Sequence, residues 1–189
     1  MTVQAGYRRY LPAAYSLALA LLILGPLLGP GYLLLRDAVS TPRSYLTDSA
    51  LGLTDAAARA VPQDALIAAL STVIDGGLVV KFILLVALWL AGWGAARMVA
   101  VLLPTAGVGP QLVASTVMLW NPYVAERLLQ GHWSLLTGYA ALPWIVCAGI
   151  GVRRATPGSW WASAASLAFA GLTPTGALLA LTAALVVVA

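Results

Sequence analysis

Long apolar runs without charge alternate with short polar segments along this chain. Tyr10 to Leu35, Phe82 to Ala96, Met98 to Ala125, Trp133 to Val152 and Ala155 to Ala189 contain no Asp, Glu, Lys or Arg. A helix needs about 20 apolar residues to cross the hydrocarbon core of a bilayer. The pattern therefore predicts crossings at about Tyr10–Tyr32, Leu78–Met98, Pro110–Trp120, Trp133–Gly151 and Trp160–Leu172, with a sixth starting near Thr175 after a break at "LTPTG" (Leu172 to Gly176). The Pro110–Trp120 segment looks short and is expected to start earlier or to sit tilted. "GPLLGPG" (Gly25 to Gly31) is expected to bend or end the first helix, since proline and glycine are tolerated in membrane helices where neighbours satisfy the freed backbone groups. The fold class read from this is all-α: a polytopic membrane helical bundle of about six transmembrane helices. Residues 1–189 form a single transmembrane domain.

The one long polar stretch, 36–77, reads as a large first outer loop carrying interfacial helices. Thr54 can cap a helix from Asp55 to Pro62. In a second helix Leu66, Leu70, Val73 and Ile74 share one face and Asp64, Ala68, Ser71 and Asp75 the other, which is the pattern of a helix lying in the membrane interface. Gly76 and Gly77 are expected to stop it. Lys81, near the outer end of the second span, is expected to snorkel to water.

A second polar stretch, "NPYVAERLLQGHW" (Asn121 to Trp133), stands between two apolar runs and contains the only histidine, His132. Asn121 followed by Pro122 is a helix start and Gly131 a stop. On the helix between them, at 100° per residue, Tyr123, Glu126, Arg127 and Gln130 fall within one arc, opposite Val124, Ala125, Leu128 and Leu129. Two readings follow. In one this is an ordinary interfacial loop, with Arg127 and His132 meeting headgroups, Tyr123 and Trp133 in an aromatic belt and Glu126 paired locally. In the other the polar groups cluster because a polar substrate meets a lipid there.

Composition agrees with a membrane chain: 61% of residues are hydrophobic and 8% charged, against roughly 25% charged in soluble domains. The net charge of +4 does not imply nucleic acid, because the bases mark topology instead of forming one patch. Arg8, Arg9, Arg97, Arg153 and Arg154 flank the spans on one side, and the six acids (Asp37, Asp48, Asp55, Asp64, Asp75 and Glu126) fall on the other. The positive-inside rule then puts the N-terminus in the cytoplasm and the polar loops outside. The chain thus reads as a multi-pass plasma-membrane protein whose active face is outside the cytoplasm. The first run is too long for a signal h-region and reads as a retained span. The single cysteine, Cys147, excludes an internal disulfide and reads as a small core residue. No P-loop, dinucleotide fingerprint, Ser-His-Asp set or zinc spacing is present.

The segment "NPYVAERLLQGHWSLLTGYAALPW" (Asn121 to Trp144) resembles one found in actinobacterial membrane glycosyltransferases of the GT-C class, which depend on polyprenyl-phosphate sugars and include arabinofuranosyltransferase-like proteins. "GPGYLLLRDAVSTPRSYLTDSALGL" (Gly29 to Leu53) and "GLTPTGALLA" (Gly171 to Ala180) also resemble stretches of that group. The resemblance implies that 1–189 is the N-terminal part of a longer GT-C-like fold, in keeping with the absence of a charged tail after Ala189. It also implies a polyprenyl-phosphate-linked sugar as donor and a cell-envelope glycan as acceptor. Asp37 matches the acidic residue that serves such enzymes as general base on the acceptor hydroxyl. Many of the class carry two adjacent acids there; this chain has Arg36–Asp37, so a divalent cation is possible but no metal ligand is assigned. Arg127 and His132 suit the donor phosphate, with Glu126, Gln130 and Tyr123 as sugar-type partners. The competing reading of Asp37 is a topology charge paired with Arg36 or Arg43. The competing function is a non-catalytic integral membrane protein that binds a lipid-linked sugar or a partner subunit. A transporter fits less well, because transporters place charges at mid-membrane.

Overall fold

A computed structural model describes residues 3–34, 36–55, 57 and 60–188. Among them there is no strand. The helices are α1 (Val3–Leu24), α2 (Gln63–Leu70), α3 (Gly76–Leu102), α4 (Val108–Leu119), α5 (Pro122–Gln130), α6 (Trp133–Arg153), α7 (Ser159–Ala170) and α8 (Pro174–Val188), with a short 3-10 turn, Gly25–Leu27, closing α1.

Three segments are long and apolar enough to cross a membrane: Tyr10–Leu27, Gly76–Leu102 and Trp133–Arg153. On length and composition this is a membrane protein. The other three predicted crossings appear as shorter helices. α4 and α7 have 12 residues each, about 18 Å of helix, and α8 has 15. α4 and α7 end where Pro122 and Pro174 open the next helices, at the position where a proline's missing N–H is not needed.

Tertiary contacts fix the directions. Ser16 Oγ of α1 donates to the Trp89 carbonyl, and Lys81 at the start of α3 donates to the Gly31 carbonyl beyond the end of α1, so α1 runs antiparallel to α3. Ser115 Oγ donates to the Gly92 carbonyl, setting α4 beside α1 and against α3. Trp133 lines the same pocket as Val80 and Trp144 Nε1 donates to the Leu90 carbonyl, so α6 runs alongside α3 in the same sense. α7 returns and α8 descends again. Gly138 of α6 and Gly176 of α8 approach so closely that a Cβ on either would meet the other's backbone. This is the small-residue packing by which apolar helices associate where water drives nothing. The core lies between α1, α3, α4 and α6 around Leu24, Leu84, Leu88, Leu119 and Leu136. On α8 the leucines face outward, with Leu178 and Leu185 exposed, as suits lipid.

The bundle has a basic end, with Arg97 and Arg153, and a polar end, with Asp37, Asp64, Asp75 and Glu126. At the polar end three expectations are corrected. Gly76 and Gly77 do not stop a helix; they open α3, because Asp75 caps it, its Oδ1 accepting from Gly77 N (2.9 Å) and Leu78 N (3.3 Å). α2 ends at Leu70, leaving Val73 and Ile74 in a turn. Lys81 does not reach for water. It is buried, and its ammonium donates to the carbonyls of Gly29 and Gly31, 2.6 Å from each. Those carbonyls are freed by the Gly-Pro-Gly turn, and a buried amine satisfies them more directly than solvent does. The expected helix from Asp55 to Pro62 includes Ala56, Ala58 and Arg59, which lie outside the described residues; Asp55, Ala57 and Ala60 are not helical.

Candidate functional site

α5 forms as its sequence requires. Asn121 Oδ1 accepts from Val124 N (3.0 Å), Pro122 takes the first helical position, and Gly131 ends the helix in the left-handed region at φ 74°. Asn121 also spends its amide hydrogens on the Val117 and Met118 carbonyls and on the Tyr139 hydroxyl. That ties the helix start to α4 and α6. Val124 is buried. Its position turns the arc of Tyr123, Glu126, Arg127 and Gln130 towards the first loop and the start of α6.

The loop meets this arc directly. His132 Nε2 lies 2.9 Å from Asp37 Oδ2, and His132 Nδ1 lies 2.9 Å from Arg127 NH1. Arg127 NH2 in turn donates to Glu126 Oε1 at 2.6 Å. The result is one continuous line: Asp37, His132, Arg127, Glu126. A guanidinium has no acceptor lone pair, so Nδ1 must accept from Arg127 and the ring proton sits on Nε2, donated to Asp37. Asp37 therefore pairs with neither Arg36 nor Arg43. Both ring nitrogens of His132 are occupied, so in this arrangement it positions Asp37 and Arg127 and has no hydrogen left for a leaving phosphate. Arg127 retains one further N–H on each of NH1 and NH2. Its Nε is buried without a partner among the described residues.

The other residues of the arc build the frame. Arg36 NH1 donates to Gln130 Oε1 (2.9 Å), and Asp37 N donates to the Gln130 carbonyl (3.3 Å). Arg36 adopts φ 51°, a conformation that costs a side-chain-bearing residue roughly 1–2 kcal/mol. Tyr123 carries the Arg127 guanidinium 5.4 Å over its ring and packs on Tyr139 at 5.2 Å. The Arg127 hydrogen bond and charge hold the Glu126 carboxyl below its ordinary range, and the Glu126 bond raises Arg127. Both groups are thus fixed as ions.

Beside Asp37 lies a polar cavity of about 280 Å³. Ser40, Thr47, Ser49 and Gln63 give it hydroxyl and amide groups, Asp64 stands on its α2 side, and Trp133 forms a wall. Burial raises the Asp64 carboxyl above its ordinary range. Trp133 is itself buried, so it is not part of an exposed aromatic belt. On the other face of α2, Leu66 and Leu70 join Ile74, Leu78, Phe82 and Phe169 in an apolar groove of about 780 Å³. α2 therefore divides a hydroxyl-lined pocket from a greasy groove.

Of the site residues read from sequence, Asp37, Arg127, His132 and Glu126 come together, and Gln130 and Tyr123 support them. Arg36, Asp64, Trp133 and the Ser/Thr set were missed. The hydroxyl density of "VSTPRSYLTDS" (Val39 to Ser49) was the available signal. Among the described residues no three of His, Cys, Asp and Glu gather as a metal site. No family model, curated protein or solved structure matches the chain.

Proposed function

We propose that this chain is a membrane glycosyltransferase, or the N-terminal module of one, that moves a sugar from a polyprenyl-phosphate carrier to a cell-envelope glycan outside the cytoplasm. The observation that carries this reading is the Asp37–His132 bond, formed across 95 residues of sequence beside a hydroxyl-lined pocket. The resemblance of 121–144 to GT-C enzymes points the same way.

In this reading the acceptor glycan enters the 280 Å³ pocket. Asp37 Oδ2 is held by His132, while Oδ1 has no partner among the described residues and faces no competing proton. Asp37 takes the acceptor hydroxyl proton as that oxygen attacks the anomeric carbon of the donor sugar. The bond from that carbon to the phosphate oxygen breaks, and the polyprenyl phosphate leaves with the electron pair. The free N–H groups of Arg127 and Arg36 meet its charge. The apolar groove beyond α2 suits the carrier's tail. The absence of acids from the end that carries Arg97 and Arg153 supports a cytoplasmic N-terminus and an outward polar end, and the alternating helix directions support a multi-pass arrangement.

Asp37→Asn tests the reading well, because its amide oxygen still accepts from His132 Nε2–H and keeps the line intact. Loss of a general base is worth about 10²- to 10⁴-fold in rate. We expect transfer to a glycan acceptor in membranes to fall by that much, with folding unchanged by circular dichroism; full activity would refute the assignment. The second reading, a non-catalytic binder of lipid-linked sugar, is favoured by one observation: each charged group of the line already has a side-chain partner. It predicts binding of the donor with no turnover in the wild type.

A further inference from the structure

The basic end of the bundle contains a second site, far from Asp37. A cavity of about 570 Å³ opens where α1, α3, α4 and α6 meet. Ala96 and Ala100 of α3 line it beside the larger Trp93 and Arg97. Two indoles wall it. Trp93 and Trp144 meet edge to face at 5.2 Å, and Trp144 is locked by its 2.9 Å hydrogen bond to the Leu90 carbonyl.

Among the described residues Arg97 is the only charged group lining the cavity. It is exposed, and among the described residues its guanidinium has no ion-pair partner. None can come from the acids, all of which lie in 37–75 or at Glu126. Gln111 adds an amide. α4 begins at the rim with Gly107 as its N-cap and no side-chain cap, so its first-turn N–H groups also want an acceptor. A fork-shaped cation, an amide and an uncapped helix start around one concavity are complementary to a phosphate. The neighbouring surface suits lipid: Val113 and Val117 of α4 are exposed apolar residues on the side of Gly107 that faces back along the bundle, and Arg97 lies in the last two turns of a membrane-length helix.

We propose that this cavity seats the headgroup of an anionic phospholipid, with its phosphate on Arg97 and its acyl chains running down the exposed apolar faces. The binding is independent of the glycosyl-transfer reading and needs no activity to test. Native mass spectrometry of the purified full chain, titrated with phosphatidylglycerol or phosphatidylcholine, reads it directly. The wild type should retain phosphatidylglycerol preferentially. Arg97→Gln should weaken phosphatidylglycerol about tenfold, as expected for one charge-assisted interaction, and narrow its preference over phosphatidylcholine. Ala100→Leu, which fills the cavity without touching charge, should also weaken it. Arg154→Gln, a charge at the same end but outside the cavity, should not. The proposal fails if Arg97→Gln binds as the wild type does or if Arg154→Gln loses as much, which would mean diffuse attraction. It also fails if millimolar inorganic phosphate displaces the lipid, which would mean a site for soluble phosphate.

Discussion

His132 is held from both sides, and that fixes what it can do. Arg127 donates to Nδ1 at 2.9 Å and Nε2 faces Asp37 at 2.9 Å, so the neutral ring carries its proton towards the carboxylate. Residues that act as one unit give non-additive losses. His132→Ala should therefore reduce transfer, and the double variant with Asp37→Asn should be little worse than Asp37→Asn alone. Additive losses in that double-mutant cycle would mean that His132 acts on the donor by itself. In the sequence His132 was visible as a lone imidazole near an acid and a base. Its tautomer was not, because that depends on which groups the fold brings to each nitrogen.

The helices at the polar end are set by their caps. α5 was legible from Asn121, Pro122 and Gly131, since a side-chain cap and a left-handed glycine act within a few residues of chain. α3 was misread at its start for an equally local reason: a glycine pair resembles a stop until the preceding Asp75 is seen to cap it. The Tyr32 hydroxyl donates to Asp75 Oδ2 at 2.7 Å, and that bond, with help from the cap amides, lowers the Asp75 carboxyl below its ordinary range. A carboxylate whose folded pKa is depressed contributes stability that is present above the unfolded value and lost as pH falls through the folded one. Asp75→Ala should therefore melt at lower temperature than the wild type above about pH 4. The gap should close as the pH is lowered further. A gap that persists unchanged at pH 2 to 3 in detergent melting curves would contradict this account of the cap.

At the scale of the molecule, charge and direction divide the bundle into two ends. If the basic end is cytoplasmic, cysteines placed in a Cys147→Ala background should label asymmetrically. Ser49→Cys should react with an impermeant maleimide on intact cells, and Arg154→Cys only after permeabilisation. The reverse pattern would invert the topology. Three helices satisfy the membrane length, while α4, α7 and α8 pack against α3 and α6 as shorter partners. The Gly138–Gly176 approach shows why α8 nevertheless belongs to the bundle: without side chains at the crossing, backbone packs on backbone.

The sequence by itself determined the helical class, the apolar segments, the two charged ends and the polar arc of α5. Each follows from periodicity, caps or composition, which act between near neighbours. Only the tertiary structure decided that Lys81 is buried on the Gly29 and Gly31 carbonyls, that Trp133 walls a pocket, and that Asp64 shares that pocket with Asp37. It alone decided that Asp37 meets His132. Those contacts join segments tens of residues apart, and they form because the antiparallel crossing of α1 and α3 sets the first loop down against α5. No local pattern in "RD" or "GHW" encodes that crossing; the packing of the apolar helices beneath them does.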